Sequence, residues 1–181
     1  MDNTVVIYKS KYGATKKYAK WISESLNTEI FESSKINMKD LLKYKNIIYG
    51  GGLYASGISG FSLISKNFNK FKDKNIILFT VGLANPSNKE QFTPILEKNL
   101  SEEMRKKIKT FHFRGAIDYK NLSLLHKSMM AMLKKSVERL DENKRNEETK
   151  MMLETYGKVV DFTNKTSIIP LIDYYNQLQK I

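Results

Sequence analysis

Cysteine is absent from the 181 residues of the chain, and histidine occurs only twice, as His112 and His126. The lack of cysteine excludes disulfide bonds, thiolate metal ligands and a cysteine nucleophile. The sequence also lacks a Ser-His-Asp arrangement, paired carboxylates and a histidine spacing suited to a metal. We therefore expect no metal site, and we interpret both histidines as structural or surface residues.

Long hydrophobic runs are also missing, since no segment approaches the roughly 20 apolar residues that a membrane-spanning helix needs. The chain starts with Met1-Asp2-Asn3 and passes directly into a strand-like segment, so no signal peptide is predicted. We expect a cytoplasmic protein that forms one domain over residues 1–181, because this length suffices for a sizeable hydrophobic core.

Acidic residues are few relative to basic ones: 19 Asp and Glu stand against 31 Lys and Arg, which gives a formal net charge of +12. Such an excess favours acidic protein partners, anionic lipid headgroups or carboxylated substrates. Nucleic acid is not an expected partner, because no nucleic-acid-binding motif accompanies the charge. A lysine-rich solvated surface without a specific partner is the alternative explanation, and the composition favours neither.

The first apolar run, Val5 to Tyr8, predicts a buried parallel strand that leads into the loop Ser10-Lys11-Tyr12-Gly13-Ala14-Thr15. A helix is predicted to begin at about Thr15. The N–H groups of a first helical turn and the helix dipole attract anions, and Gly13 would let the backbone approach one closely. The loop lacks the spacing of nucleoside-triphosphate loops and of Gly-x-Gly-x-x-Gly motifs, so we predict a phosphate site of another kind.

Further apolar segments alternate with helix-like patterns, and strands are predicted at 28–31, 46–49, 76–81 and 110–113. Such alternation predicts a parallel sheet with helices on both faces. The third strand is predicted to stop at Gly50-Gly51-Gly52. Loops 50–57 and 82–86 would then join the loop 10–15 at the carboxyl edge of the sheet, where open α/β sheets bind ligands.

The motif Ser10-x-x-Gly13-x-Thr15 resembles the phosphate loop of the flavodoxin family, with Tyr12 where a small hydroxyl residue is commoner. The resemblance implies a three-layer flavodoxin-like α/β fold, a five-stranded parallel sheet in the order 2-1-3-4-5, and FMN as the cofactor. It also implies that residues 10–15 hold the FMN phosphate and that two loops frame the flavin ring. The residues assigned to these loops are Gly51, Gly52, Leu53, Tyr54 and Ala55, and Val81, Gly82, Leu83, Ala84 and Asn85.

Tyr54 is expected, by the same resemblance, to stack on the flavin. A half-buried loop anchor is the alternative role for Tyr54, and a turn without a ligand role is the alternative for residues 82–86. The pattern Gly50-x-Gly52-x-x-Ala55 superficially matches a dinucleotide motif, but it follows a third strand and no helix pattern opens there.

More than 60 residues follow the fifth strand, although a minimal fold of this kind needs only one helix there. An apolar stripe flanked by lysines predicts a helix over about 122–140, followed by a charged, poorly ordered bridge at 141–150. A final packing helix is predicted near 156–162, and a terminal helix from Pro170. Residues 115–150 are thus interpreted as an insertion. Its basic helix could pack on the domain, cover an apolar substrate as a lid, or contact the inner face of a membrane.

The junction Phe113-Arg114-Gly115-Ala116-Ile117-Asp118-Tyr119, followed by this long insertion, is similar to the quinone-dependent protoporphyrinogen dehydrogenase group of the flavodoxin superfamily. The resemblance implies an FMN-dependent oxidoreductase acting on a quinone or a porphyrinogen, with Tyr119 at the substrate opening. The sequence identifies no catalytic side chain. The alternatives are a flavodoxin-type electron carrier that serves redox protein partners, and an adaptor that has lost its cofactor.

Overall fold

A sheet of five parallel strands forms the centre of the computed structural model, which describes residues 3–145 and 147–180. The strands of the described residues are β1 (Thr4–Lys9), β2 (Glu29–Glu32), β3 (Asn46–Tyr54), β4 (Gly57–Ile58), β5 (Asn75–Gly82), β6 (Lys109–Arg114), β7 (Ala116–Asp118) and β8 (Val159–Asp161). The parallel strands lie in the order β2-β1-β3-β5-β6, which is the predicted order 2-1-3-4-5 when they are counted along the chain. The α/β fold class is therefore confirmed.

Helices cover both faces of this sheet. The helices of the described residues are α1 (Ala14–Leu26), α2 (Met38–Leu41), α3 (Ser62–Ser65), α4 (Thr93–Asn99), α5 (Glu102–Lys107), α6 (Leu124–Glu138), α7 (Glu147–Thr155) and α8 (Ile169–Leu178). Short 3₁₀ turns lie at Phe68–Phe71, Lys89–Phe92, Glu142–Lys144 and Lys165–Ile168. Ser101 caps α5 by accepting a hydrogen bond from the Met104 N–H.

Two hydrophobic cores lie on opposite sides of the sheet because successive strand residues point to opposite faces. In β1, Val5 and Ile7 belong to one core and Val6 to the other. The first core is closed by side chains of α3, the 3₁₀ turn at 68–71 and α5. The second is closed by α1 and α8, whose Tyr18 and Leu171 are fully buried.

The prediction that the third strand ends at the triple glycine is wrong, because β3 continues through it to Tyr54. Gly50 pairs with Phe79 on β5, and the Phe79 ring covers the glycine so closely that an added Cβ would overlap it. An added Cβ at Gly51 would lie 2.5 Å from a methyl group of Ile58. These glycines are therefore strand residues whose missing side chains leave room for Phe79 and Ile58, and they are not turn residues. The chain turns later, at Ala55 and Ser56, where φ is +48° and +63°.

Two helical segments have local features that their side chains explain. The segment from Phe61 to Phe71 is divided into α3 and a 3₁₀ turn, and the Asn67 side chain donates to the Leu63 carbonyl at 3.0 Å between them. Pro94 lies in the first turn of α4, where its missing N–H costs no hydrogen bond.

The segment between β6 and α8 is closed by an antiparallel ribbon of β7 and β8, in which Ala116 pairs with Asp161 and Asp118 with Val159. The helix predicted near 156–162 is therefore wrong. Residues 141–145 and 147–150 include a 3₁₀ turn and the start of α7, while Asn146 of the predicted bridge lies outside the described residues. The terminal helix predicted from Pro170 is α8, and it is the helix that packs on the sheet.

None of the helices in the described ranges combines the length and the apolar character needed to cross a membrane.

Replacing Gly50 by alanine is expected to destabilise the protein by about 1–3 kcal/mol, because the new methyl group would displace the fully buried Phe79 ring. Urea unfolding measures the change. The double variant Gly50→Ala/Phe79→Leu is expected to recover part of the loss, since leucine has no ring over residue 50. Equal losses in the single and double variants would contradict the proposed contact.

His112 lies on β6 with its Nδ1 atom 2.6 Å from the Thr80 hydroxyl and its ring stacked on Phe92 at 3.8 Å between centroids. Burial lowers the pKa of His112 from 6.5 to about 4. In the unfolded chain the imidazole takes up a proton near pH 6.5, whereas in the folded protein it stays neutral until about pH 4.

The free energy of unfolding is consequently expected to fall as the pH is lowered from about 6.5 towards 4, because the unfolded state binds the extra proton over this range. Urea titrations at pH 7 and pH 4.5 test this expectation. A His112→Gln variant, which cannot take up that proton, should lose less stability between the two pH values than the natural chain. A loss of the same size in both proteins would rule out His112 as a source.

Candidate functional site

The loop between β1 and α1 has the backbone geometry of an anion site. Gly13 precedes α1 with φ at +95°, a conformation that favours glycine, and its N–H donates to the Ser10 hydroxyl at 3.1 Å. No side chain caps α1. The N–H groups of the first turn, from Ala14 onwards, therefore point out of the helix without a side-chain acceptor, at its positive end.

A cavity of about 160 Å³ lies beside this loop at the carboxyl edge of the sheet. It brings together ten of the residues that the sequence assigned to the cofactor, which are Ser10, Tyr12, Ala14, Thr15, Leu53, Tyr54, Ala55, Val81, Gly82 and Leu83. The phosphate-type loop thus opens into a slot whose other walls are largely apolar.

The remaining assigned residues do not line this cavity. Lys11 turns towards the insertion, where its Nζ atom donates to the Ser123 hydroxyl at 3.5 Å. Gly52 lies beneath the Tyr54 ring and near the Thr15 hydroxyl. Gly13 supports the loop from its backbone, Gly51 is covered by Ile58, Ala84 faces a second cavity, and Asn85 stabilises its own turn by accepting the Ser87 N–H.

The insertion supplies a wall that the sequence did not assign. Met129, Met130 and His126 of α6 line the cavity, together with Leu122, Gly115 and the first two residues of β7. Methionines in an apolar helix stripe carry no signal of which cavity they will face. His126 was interpreted as structural or surface, and the structure places it in the cavity wall.

Three rings meet at this wall. Tyr54 stacks on His126 with centroids 5.0 Å apart and an interplanar angle of 18°. Tyr12 packs edge-on against both rings, at 6.1 Å from Tyr54 and 5.4 Å from His126. Burial raises the pKa of Tyr54, so its hydroxyl is neutral in the physiological range.

Tyr12 joins the phosphate-type loop to the start of α6. Its hydroxyl lies 2.7 Å from His126 Nδ1 and accepts the Ser123 N–H at 3.2 Å. Slight burial raises the pKa of Tyr12, but hydrogen bonds with Ser123 and the charge of Lys11 outweigh it and place the pKa below its usual value. Burial and Lys11 lower the pKa of His126, so this imidazole is neutral at pH 7.

A second cavity of about 250 Å³ adjoins the first, and Leu83, Ile117 and Met130 line both. Tyr119, which the sequence placed at a substrate opening, is buried in the wall of this second cavity and packs on Tyr156 at 4.9 Å. Burial and then Tyr156 raise the pKa of Tyr119. The described residues contain no group of three or more acidic or histidine side chains that could hold a metal ion.

The sheet order and the adjoining slot define an α/β protein with a crevice at the carboxyl ends of its strands, and the uncapped start of α1 lies at one end of that crevice. The chain belongs to the flavodoxin-domain family, because the family model described as "Flavodoxin domain" matches residues 5–144. Membership of this family implies a flavin cofactor.

Solved structures with a similar course of the chain include a WrbA-like flavodoxin from Agrobacterium tumefaciens (20% identity, 61% of this chain and 82% of that chain, TM-score 0.41). The Trp repressor binding protein from Bacillus subtilis shares 19% identity over 62% of this chain and 82% of that chain, with a TM-score of 0.43. The chain spans only 30% of a rubredoxin oxygen:oxidoreductase from Desulfovibrio gigas, at 16% identity, 62% coverage of this chain and a TM-score of 0.42. Such distant likenesses carry no argument about function. No curated protein matches the chain.

Replacing Tyr12 by phenylalanine is expected to loosen the start of α6, because the Ser123 N–H and His126 each lose a hydrogen-bond partner. Each such bond contributes about 1 kcal/mol, so the loss of both should make local opening about 30-fold more frequent. Hydrogen exchange of a peptide spanning 120–130 measures the opening. Tyr44→Phe is the matched control, because its hydroxyl bonds only Glu29 on another part of the surface. Unchanged exchange in Tyr12→Phe would show that the hydroxyl does not hold the helix.

Proposed function

We propose that the protein binds FMN and acts as an oxidoreductase. The observation that carries this proposal is that the phosphate-type loop and an apolar slot open into the same cavity. The family implies a flavin, and the cavity has one end suited to an anion. Together these two observations favour FMN, the flavin nucleotide with a single terminal phosphate.

The phosphate end fits such a group by its donors and its space. Ser10 and Thr15 bring hydroxyl groups to the cavity beside the first turn of α1. Nothing lies within 4 Å of the position that a Cβ on Gly13 would take. No protein atom therefore obstructs this side of the loop.

The other end fits a flat ring. Leu53, Leu83 and Ile117 line it with apolar atoms, and Met129 and Met130 add thioether groups that make favourable contacts with aromatic faces. Tyr54 borders the same space with a neutral phenol ring. These are the side chains that would hold an isoalloxazine ring by stacking and exclude water from it.

A bound flavin supplies the electron-transfer chemistry, and the protein contributes binding, orientation and access. The Ser10–Thr15 loop binds the phosphate and so fixes the position of the ring. The insertion covers the slot from one side through Met129 and Met130. His126, neutral at pH 7 and hydrogen-bonded at Nδ1 to the Tyr12 hydroxyl, lies in the wall of the slot.

An enzyme with its own substrate is supported over an electron carrier by the second cavity, since a carrier that meets protein partners needs no ligand cavity beside its cofactor. The proposed substrates are a quinone or protoporphyrinogen, with Tyr119 in the wall of their site. The walls of this cavity are largely apolar, as either ring system requires.

We also propose that the protein is cytoplasmic and that α6 contacts the inner face of a membrane peripherally. Leu124, Leu125 and Met132 are 85%, 67% and 71% exposed, and Lys127 and Lys135 lie on the same helix. Residues 115–150, the insertion, contain eight basic and six acidic residues, so apolar contact more than the net charge of the insertion would hold it there.

Replacing Gly13 by alanine is expected to weaken FMN binding about tenfold, a change of about 1.4 kcal/mol, because alanine disfavours the φ of +95° that shapes the loop before α1. Quenching of FMN fluorescence measures the affinity. Riboflavin, which lacks the phosphate, should bind more weakly than FMN to the natural chain and be less affected by the substitution.

Gly157→Ala is the matched control, because Gly157 also has a positive φ, at +82°, and no atom within 4 Å of an added Cβ. Both variants should lose about 1 kcal/mol of stability through backbone strain, but only Gly13→Ala should lose FMN affinity. A colourless natural protein that does not quench added FMN would refute the proposed function.

A further inference from the structure

The second cavity has one charged side chain among the residues that line it, Arg114 at the end of β6. Its other walls come from α6, α7, Tyr119, Phe162 and the turn after β5. Every other lining side chain is uncharged, and most are apolar. The cavity therefore combines a single cation with a hydrophobic surround.

Arg114 is held in place from two sides. Its Nε donates to the Leu83 carbonyl at 3.1 Å, and Nη2 contacts the Met151 sulfur at 2.7 Å. The guanidinium plane lies over the Phe162 ring, 3.8 Å from its centroid. A guanidinium has five N–H donors, so these contacts leave several donors for another acceptor.

No carboxylate pairs with Arg114 anywhere in the described part of the chain. A half-buried cation without a counter-ion is unfavourable in an apolar surround, and one planar anion can relieve this cost. A carboxylate matches the fork of a guanidinium with two parallel hydrogen bonds. The charge of the cavity thus selects a carboxylate-bearing ligand.

The walls select the rest of the ligand. Met130, Met151 and Met152 line the cavity, and methionine sulfur packs favourably against aromatic rings. A volume of about 250 Å³ lies just below the roughly 300–1,000 Å³ of sites for drug-sized ligands. One or two fused rings fit this space better than a larger skeleton.

We propose that the second cavity is a binding site for a small aromatic carboxylate, with Arg114 as the residue that holds the carboxylate group. Leu83, Ile117 and Met130 separate this site from the slot of the first cavity. The ligand would therefore lie beside the flavin, in the space proposed above for a quinone or a porphyrinogen, and would compete with either. This relation rests on the proposed function, whereas the binding itself does not.

Calorimetric titration of the full chain with naphthalene-2-carboxylate and with naphthalene-2-carboxamide tests the site, since the two probes share a shape and differ in charge. The carboxylate is expected to bind at least about tenfold more tightly, as a charge-assisted pair at Arg114 requires. Arg114→Gln should abolish this preference and Arg114→Lys should keep part of it. Arg139→Gln, an exposed arginine at the end of α6 outside the cavity lining, should leave both affinities unchanged.

Met152→Trp gives a second route that leaves the hydrogen bonds of Arg114 in place, and it should abolish binding of both probes by filling the cavity. Equal affinity for the two probes, an unchanged preference in Arg114→Gln, or no binding to the folded natural chain would overturn the proposal. Quenching of FMN is measured on the same samples. FMN binding without carboxylate binding would refute only the carboxylate site. Carboxylate binding without FMN binding would refute only the proposed flavin site.

Discussion

Parallel pairing of β1, β3 and β5 is the constraint on which the site depends. Strands that run in one direction end at one edge, so the loop after β1, the hairpin after β3 and the turn after β5 meet there. Hydrophobic burial on both faces maintains the pairing: Val5 and Ile7 face one core and Val6 faces the other. A one-residue slip of register would exchange these faces, which is why the position of the edge loops is well determined.

Glycines in β3 extend this arrangement beyond the sheet proper. Gly50 and Gly51 allow Phe79 and Ile58 to lie across the backbone, so the strand can continue to Tyr54 and form the wall of the crevice. The tight turn at Ala55 and Ser56 then returns the chain as β4. The glycines therefore contribute to the site by leaving room for large side chains over the strand, and not by making the backbone flexible.

The insertion completes the crevice and adds a second one. A two-stranded ribbon fixes its ends, and α6 begins where Ser123 meets the Tyr12 hydroxyl. Hydrogen bonds therefore join the loop 10–15 to α6, so ordering of either element favours ordering of the other. The methionine-bearing face of α6 lines both cavities, so a ligand in either cavity would contact this helix.

The amino-acid sequence by itself determined the parallel strands and the loop from Ser10 to Thr15, because these features follow from local apolar runs, glycine and helix-start chemistry. The order of the strands came only from the resemblance to the flavodoxin family. Tertiary structure alone decided that β3 passes through its glycines, that residues 159–161 form a strand, and that Tyr12 meets His126. Each of these depends on a partner distant in the chain: Phe79 for Gly50, β7 for β8, and the start of α6 for Tyr12. Local composition carries no record of such pairs, since the same glycine, valine or tyrosine is stable in several settings until a neighbour packs against it.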